Sequence, residues 1–153
     1  MCQGASTGNR EETHVYKTIL VGVDGSNTAS RAAEVAAGLA AATGAALHIV
    51  TAVDEKASAA TDLPPGMQPL SPGERAEAIA RQVAEGLSYQ GTVEASPAPG
   101  KPADALVHVA KEIGADLIVV GNRRVQGIGR VLGSVAADVA HHAPCDVYIV
   151  KTT

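Results

Sequence analysis

Residues 116–135 read Asp116-Leu117-Ile118-Val119-Val120-Gly121-Asn122-Arg123-Arg124-Val125-Gln126-Gly127-Ile128-Gly129-Arg130-Val131-Leu132-Gly133-Ser134-Val135. The unbroken apolar run Leu117 to Val120 predicts a strand buried on both faces, and Gly121 marks its end, where the backbone is expected to turn sharply. A loop rich in glycine and arginine follows. Gly133 and Ser134 then open a helical pattern, so the loop delivers backbone N–H groups and a hydroxyl to a helix N-terminus. That end of a helix carries partial positive charge and unpaired donors, the chemistry an anion such as phosphate requires.

Upstream of this stretch, strand and helix patterns alternate. Tyr16 to Asp24 is apolar and β-branched through its middle, the pattern of a central strand. Asp24-Gly25-Ser26-Asn27-Thr28 forms a turn with several side chains able to cap the next helix, Asp24 among them. Ala32, Val35, Ala36, Leu39 and Ala40 recur at helical spacing, and Gly44 is placed as the C-terminal cap. Ala46 to Val53 is a second apolar strand. Asp54 to Leu70, with Pro64-Pro65-Gly66, shows no period and is expected to be a long loop of the kind that covers something. Ser71-Pro72-Gly73-Glu74 supplies a capping box, and the helix it starts is expected to run until Gly91. Thr92 to Pro97 is weakly apolar and suits a sheet edge. A helix with Leu106, Val109, Ala110 and Ile113 on one face ends at Gly114. Downstream, the helix from Ser134 to His142 is stopped by Pro144, and Asp146 to Val150 is the last strand.

This alternation specifies one α/β domain: an open five-stranded parallel sheet with helices on both faces. Ligands in such sheets bind outside the carboxyl ends of the strands, where the strand order reverses. Asp24 and Gly121 converge on one ligand if the first and fourth strands are neighbours, which the order 3-2-1-4-5 provides. Asp24 then lies near the sugar of a bound nucleotide, and the loop from Gly121 to Ser134 near its phosphates. Each part also has a plainer reading. Asp24 serves equally as a cap, Gly127 and Gly129 as loop turns, and Arg123 and Arg124 as solvated charge. Joint placement at adjacent strand ends is what favours a site.

Composition limits the alternatives. With 153 residues the chain suits one domain, and a core without Phe or Trp must be built from Ala, Val, Leu and Ile. A formal net charge of −4 argues against a nucleic-acid partner, while Arg123, Arg124 and Arg130 gather locally, as for a small anion. Residues 1–14 are expected to be a disordered tail preceding a domain over 15–153. No run is long enough to span a bilayer, and the two cysteines show no pairing pattern, so a cytoplasmic protein is expected. His141 and His142 fall in the last turn of a helix, where cations suit the dipole. His48 and His108 lack ligand spacing, Cys145 reads as a small core residue, and neither a metal set nor a catalytic set can be assembled from the sequence.

Ile19-Leu20-Val21-Gly22-Val23-Asp24-Gly25-Ser26 and Ala115-Asp116-Leu117-Ile118-Val119-Val120-Gly121-Asn122, with Gly133-Ser134-Val135 and His142-Ala143-Pro144-Cys145-Asp146-Val147, together resemble a universal stress protein. The resemblance runs from Val15 to Val150. It implies a Rossmann-like domain of the adenine nucleotide alpha hydrolase type, usually dimeric, whose nucleotide-binding branch holds ATP or a related adenine nucleotide, with or without Mg2+. It places the ribose at Asp24, beside Gly22 and Val23, and adenine at the backbone of Ala52. Phosphates fall to Gly121, Gly133, Ser134 and Val135, and the loop residues Asn122, Arg123, Arg124 and Gly127 complete the candidate set. The ATP-binding branch carries Gly, two residues, Gly, nine residues, then Gly-Ser. Here Arg124 stands at the second Gly, eight residues before Gly133, where a side chain either obstructs the backbone approach or itself pairs with phosphate.

The expected function is therefore adenine-nucleotide binding in a stress response. Cyclic AMP binding, a nucleotide-free interaction module and weak ATP hydrolysis or autophosphorylation are the alternatives. The last strand, Val147 to Val150, is apolar and expected at a sheet edge, where its unpaired backbone groups invite a homodimer.

Overall fold

The computed structural model describes residues 16–54, 65–66, 70–123 and 133–152, with the backbone alone at Arg123 and Thr152. The expected tail over 1–14, most of the 54–70 loop, and residues 124–132, Arg124 and Gly127 included, lie outside the described residues.

Within them the chain runs β1 (Thr18–Gly22), α1 (Asn27–Thr43), β2 (Ala46–Val53), α2 (Pro72–Gly86), β3 (Val93–Pro99), α3 (Pro102–Ile113), β4 (Leu117–Arg123), α4 (Ser134–His142) and β5 (Asp146–Thr152). The five strands form one parallel sheet in the order β3-β2-β1-β4-β5. This is the order expected from the convergence of Asp24 and Gly121. Ile19, Leu20 and Val21 of β1 pair with Leu117, Ile118 and Val119 of β4, which makes the first and fourth strands neighbours. The Asp116 carboxylate pins them, accepting from the Lys17 and Thr18 amides at 2.9 and 3.0 Å.

Alternation along each strand divides the core between two layers. Ile19, Val21, Leu47, Ile49, Leu117 and Val119 turn to the face covered by α1 and α2. Leu20, Val50, Ile118 and Val120 turn to the face covered by α3 and α4. An aromatic-free core of this kind works because α1 meets the sheet through Ala29, Ala32, Ala33, Ala36 and Ala40, whose single methyls let the helix sit close to branched strand side chains.

Several local expectations change in detail, β1 being shorter than Tyr16 to Asp24 and β5 reaching Thr152 rather than Val150. Ser26, not Asp24, caps α1, its hydroxyl accepting from the Ala29 amide at 3.1 Å. Asp24 instead accepts the Ser26 amide at 2.9 Å, shaping the turn before the helix. α2 ends at Gly86, not near Gly91, because Leu87 leaves the helix in extended conformation and packs with Tyr89 against the α1/α2 core, the Tyr89 hydroxyl donating to the Ala45 carbonyl. β3 reaches Pro99, two residues further than expected, and tolerates Pro97 and Pro99 because it is an edge strand. Finally, β4 does not stop at Gly121: the ladder continues as Gly121, Asn122 and Arg123 pair with Val150, Lys151 and Thr152.

The glycine at 121 answers to crowding. A Cβ built there would stand 2.8 Å from Thr28 Cγ2 and 2.9 Å from the Thr28 carbonyl oxygen. α1 begins so close to β4 that the strand has no room for a side chain at that point.

The capping box is formed as read: Glu74 N donates to Ser71 Oγ at 3.1 Å and Ser71 N to Glu74 Oε1 at 2.9 Å. Ser71→Ala is expected to cost about 1 kcal/mol in a denaturant melt. Hydrogen bonding to the Ser71 amide foremost, and to the Ser71 side chain next, holds the Glu74 carboxyl below its ordinary pKa. The contribution of the Glu74 carboxylate is thus present above the ordinary carboxylate range and lost as the pH falls through the lowered value, so the cost of Glu74→Gln should shrink in acid.

Candidate functional site

At the carboxyl ends of β1, β2 and β4 lies an open cleft of about 660 Å3, lined by residues of all three strands and of the starts of α1, α2, α3 and α4. The volume falls within the range of small-molecule sites, and the position is the switch point of the sheet.

The β1 side of the cleft carries Gly22, Val23 and Asp24. The Val23 amide donates to the Val50 carbonyl at 2.9 Å, which carries the pairing of β1 with β2 one step beyond the strand and holds the Asp24 turn at the rim. Asp24 is exposed, and one carboxylate oxygen is committed to Ser26. On the β4 side, Gly121 and Asn122 line the cleft together with Gly133, Ser134, Val135 and Ala136. Asn122 ties the strand to the following helix, its Oδ1 accepting the Gly133 amide at 2.7 Å. A Cβ on Gly133 would approach that oxygen to 3.3 Å. Gly133 is the N-cap of α4 and has no side chain with which to cap it. The first amides of α4 therefore reach the cleft without a side-chain acceptor from the cap residue, the arrangement an anion fits.

Ala52 is in the cleft wall at the end of β2, and next to it Thr51 is 96% buried. The structure thus brings Gly22, Val23, Asp24, Ala52, Gly121, Asn122, Gly133, Ser134 and Val135 to one cavity. Arg123 is at the end of β4 with only its backbone described, and Arg124 and Gly127 lie outside the described residues.

Sequence reading missed the wall supplied by α2, where Pro72, Arg75, Ala76 and Ile79 line the cleft. Arg75 is half-buried and donates from Nη2 to the Leu70 carbonyl at 3.2 Å. The capping box announced where that helix starts, but nothing local said that its first turn would lie over the end of β2.

The remaining candidates stay apart from the cleft. His142 Nδ1 is 2.9 Å from the Asp138 carbonyl in the last turn of α4, and His108 pairs with Glu112 at 3.3 Å on the exposed side of α3. Cys145 is half-buried against the α3/α4 core, and burial foremost raises its thiol pKa. Among the described residues, no group of three or more His, Cys, Asp or Glu side chains is placed to hold a metal ion, and no helix is long and apolar enough to cross a membrane.

The family model of the universal stress proteins matches residues 15–151. The chain belongs to the universal stress protein family. Universal stress protein Rv1636 of Mycobacterium tuberculosis (strain H37Rv) is 42% identical over 144 residues, covering 90% of this chain and 98% of the relative. Among solved structures, a universal stress protein in complex with cAMP superposes with a TM-score of 0.68 at 34% identity, covering 91% of this chain and 99% of its own. The universal stress protein from Archaeoglobus fulgidus in complex with dAMP superposes with a TM-score of 0.53 at 25% identity, covering 90% of this chain and 99% of its own. Universal stress proteins thus share this five-stranded scaffold, and two of these relatives were solved with an adenine nucleotide.

Proposed function

We propose that this universal stress protein binds an adenine nucleotide in the cleft at the ends of β1, β2 and β4, ATP foremost, and acts in a cytoplasmic stress response through binding rather than turnover. One observation carries the reading: Asp24, in the turn after β1, and the N-terminus of α4 at Gly133 to Val135 border the same cavity. A carboxylate suits ribose hydroxyls, and uncapped helix amides suit phosphate. The glycines at 121 and 133 present only backbone to the β4 side of the cleft. The relatives solved with cAMP and dAMP support the adenine nucleotide as the ligand class. Mg2+, where present, would enter on the phosphates of a triphosphate, as it commonly does.

Cyclic AMP is the second reading, favoured by the neighbour with the TM-score of 0.68. Calorimetric titration with ATP, ADP, AMP and cyclic AMP tests both. Saturable binding of at least one is expected, with ATP the tightest on the leading reading and cyclic AMP on the second. Absence of heat with all four would leave a nucleotide-free interaction module. The proposal includes a homodimer through the edge strand β5, where Tyr148 is 45% exposed. Light scattering on the same samples should give twice the chain mass.

A further inference from the structure

Of the charged side chains that line the cleft, Asp24 and Asp54 are acidic, and Arg75 is the one cation among the described residues. Arg75 is half-buried on α2, and its guanidinium makes one hydrogen bond, from Nη2 to the Leu70 carbonyl at 3.2 Å. No carboxylate pairs with it among the described residues. The acids nearest in sequence are committed elsewhere: Glu74 closes the capping box, and Glu77 pairs with Arg81 at 2.8 Å. A guanidinium keeps its charge at any physiological pH, and charges drawn partly out of water are ordinarily paired. With one bond to a neutral carbonyl, most of its five N–H donors are left for a ligand in the cleft.

The α4 amides border the cleft beside β4, whereas α2 stands over the end of β2 with β1 between them. The two positive elements are thus about two strand spacings apart, roughly 10 Å. Across that range the attraction of two unit charges, at an effective dielectric of roughly 20 to 80, still changes an affinity roughly 2- to 16-fold. We propose that Arg75 makes the cleft select its ligand by negative charge, favouring nucleotides with a chain of phosphates over those with one. The carboxylates of Asp24 and Asp54 repel the same phosphates, and Arg75 offsets them by an amount that grows with each charge on the ligand. The inference rests on the nucleotide reading above and weighs for ATP against cyclic AMP, which carries a single negative charge.

Calorimetry without Mg2+ at low, fixed ionic strength tests this with cyclic AMP, AMP and ATP, and with adenosine by displacement, on the wild type, Arg75→Met, Arg75→Lys and Arg81→Met. Methionine keeps much of the apolar stem and removes the charge. Arg75→Met should leave adenosine within about twofold of wild type and weaken ATP at least about fourfold more than AMP, which carries about two charges fewer. Arg75→Lys keeps the charge without the fork and should retain the ratio of ATP to AMP. Arg81→Met removes the same net charge from the same helix, at a side chain 64% exposed and outside the cleft lining, and should leave that ratio as in wild type. If Arg75→Met does not fold, Arg75→Gln reads the same ratio. An unchanged ratio in Arg75→Met, an equal loss for adenosine and ATP, or a shift matched by Arg81→Met overturns the role of Arg75 and leaves the nucleotide reading standing. A wild type that binds none of the four overturns both.

Discussion

Gly121→Val is expected to lower stability by roughly 2–3 kcal/mol, a fall in Tm of roughly 4–12 °C, and to abolish nucleotide binding. The cause is the close approach of α1 to β4. A Cβ at this position meets the Thr28 methyl at 2.8 Å and the Thr28 carbonyl oxygen at 2.9 Å. The methyl could rotate away, but the carbonyl belongs to the first turn of a helix and moves only with it. α1 would shift outward at its start, and the turn bearing Asp24 and Ser26 would follow, since Ser26 caps that helix and is held by Asp24. Gly121 and Thr28 both line the cleft, so the added side chain would also occupy ligand space. Gly22→Ala is the informative comparison. Its Cβ would come as close as 2.7 Å to Leu106, but to the terminal atoms of a flexible side chain that can change rotamer. The loss there should be smaller. Thermal melts of the two variants, followed by titration with ATP, separate the cases, and a Gly121→Val protein as stable as wild type would show that the helix and strand do not approach this closely.

The scaffold was legible because its signals are local and mutually consistent. Leu117 to Val120 cannot be half-exposed, Gly44 and Gly114 end helices in the left-handed conformation, and Ser71 with Glu74 makes the box their spacing announces. Neighbouring of β1 and β4 followed from asking two strand ends to serve one ligand. What stayed hidden depends on which layer a residue faces. Thr51 reads as an ordinary β-branched strand residue, and its hydroxyl, which has no hydrogen-bond partner among the described residues, becomes anomalous only once α2 is known to seal that side of the sheet. In the sequence Gly121 reads as a turn, the commonest use of glycine, whereas its cause is a neighbour more than ninety residues away. Asp24 and Ser26 are both good caps, and spacing alone does not decide between them. Geometry does, giving Ser26 the cap and leaving Asp24 at the cleft rim.

That division of roles makes Asp24 separable from the fold. Asp24→Ala should weaken nucleotide binding by roughly 10- to 100-fold, the range for hydrogen bonds to a charged group, with a far smaller change in stability. One carboxylate oxygen accepts the Ser26 amide at 2.9 Å, and among the described residues the other has no hydrogen-bond partner. Two ribose hydroxyls would find in that second oxygen an acceptor already held in place by the turn. Asp24→Asn distinguishes orientation from charge: the amide oxygen still accepts from Ser26, so the turn and melting temperature should be kept, while the group facing the sugar becomes an uncharged NH2 that can donate to a ribose oxygen but no longer accepts. The expected affinities therefore rank wild type above asparagine and asparagine above alanine, read by calorimetry at fixed salt. Were Asp24→Ala to bind as tightly as wild type, the ligand would have to be held by the β4 and α4 side alone, and the cleft would be a site for phosphate rather than for a nucleotide.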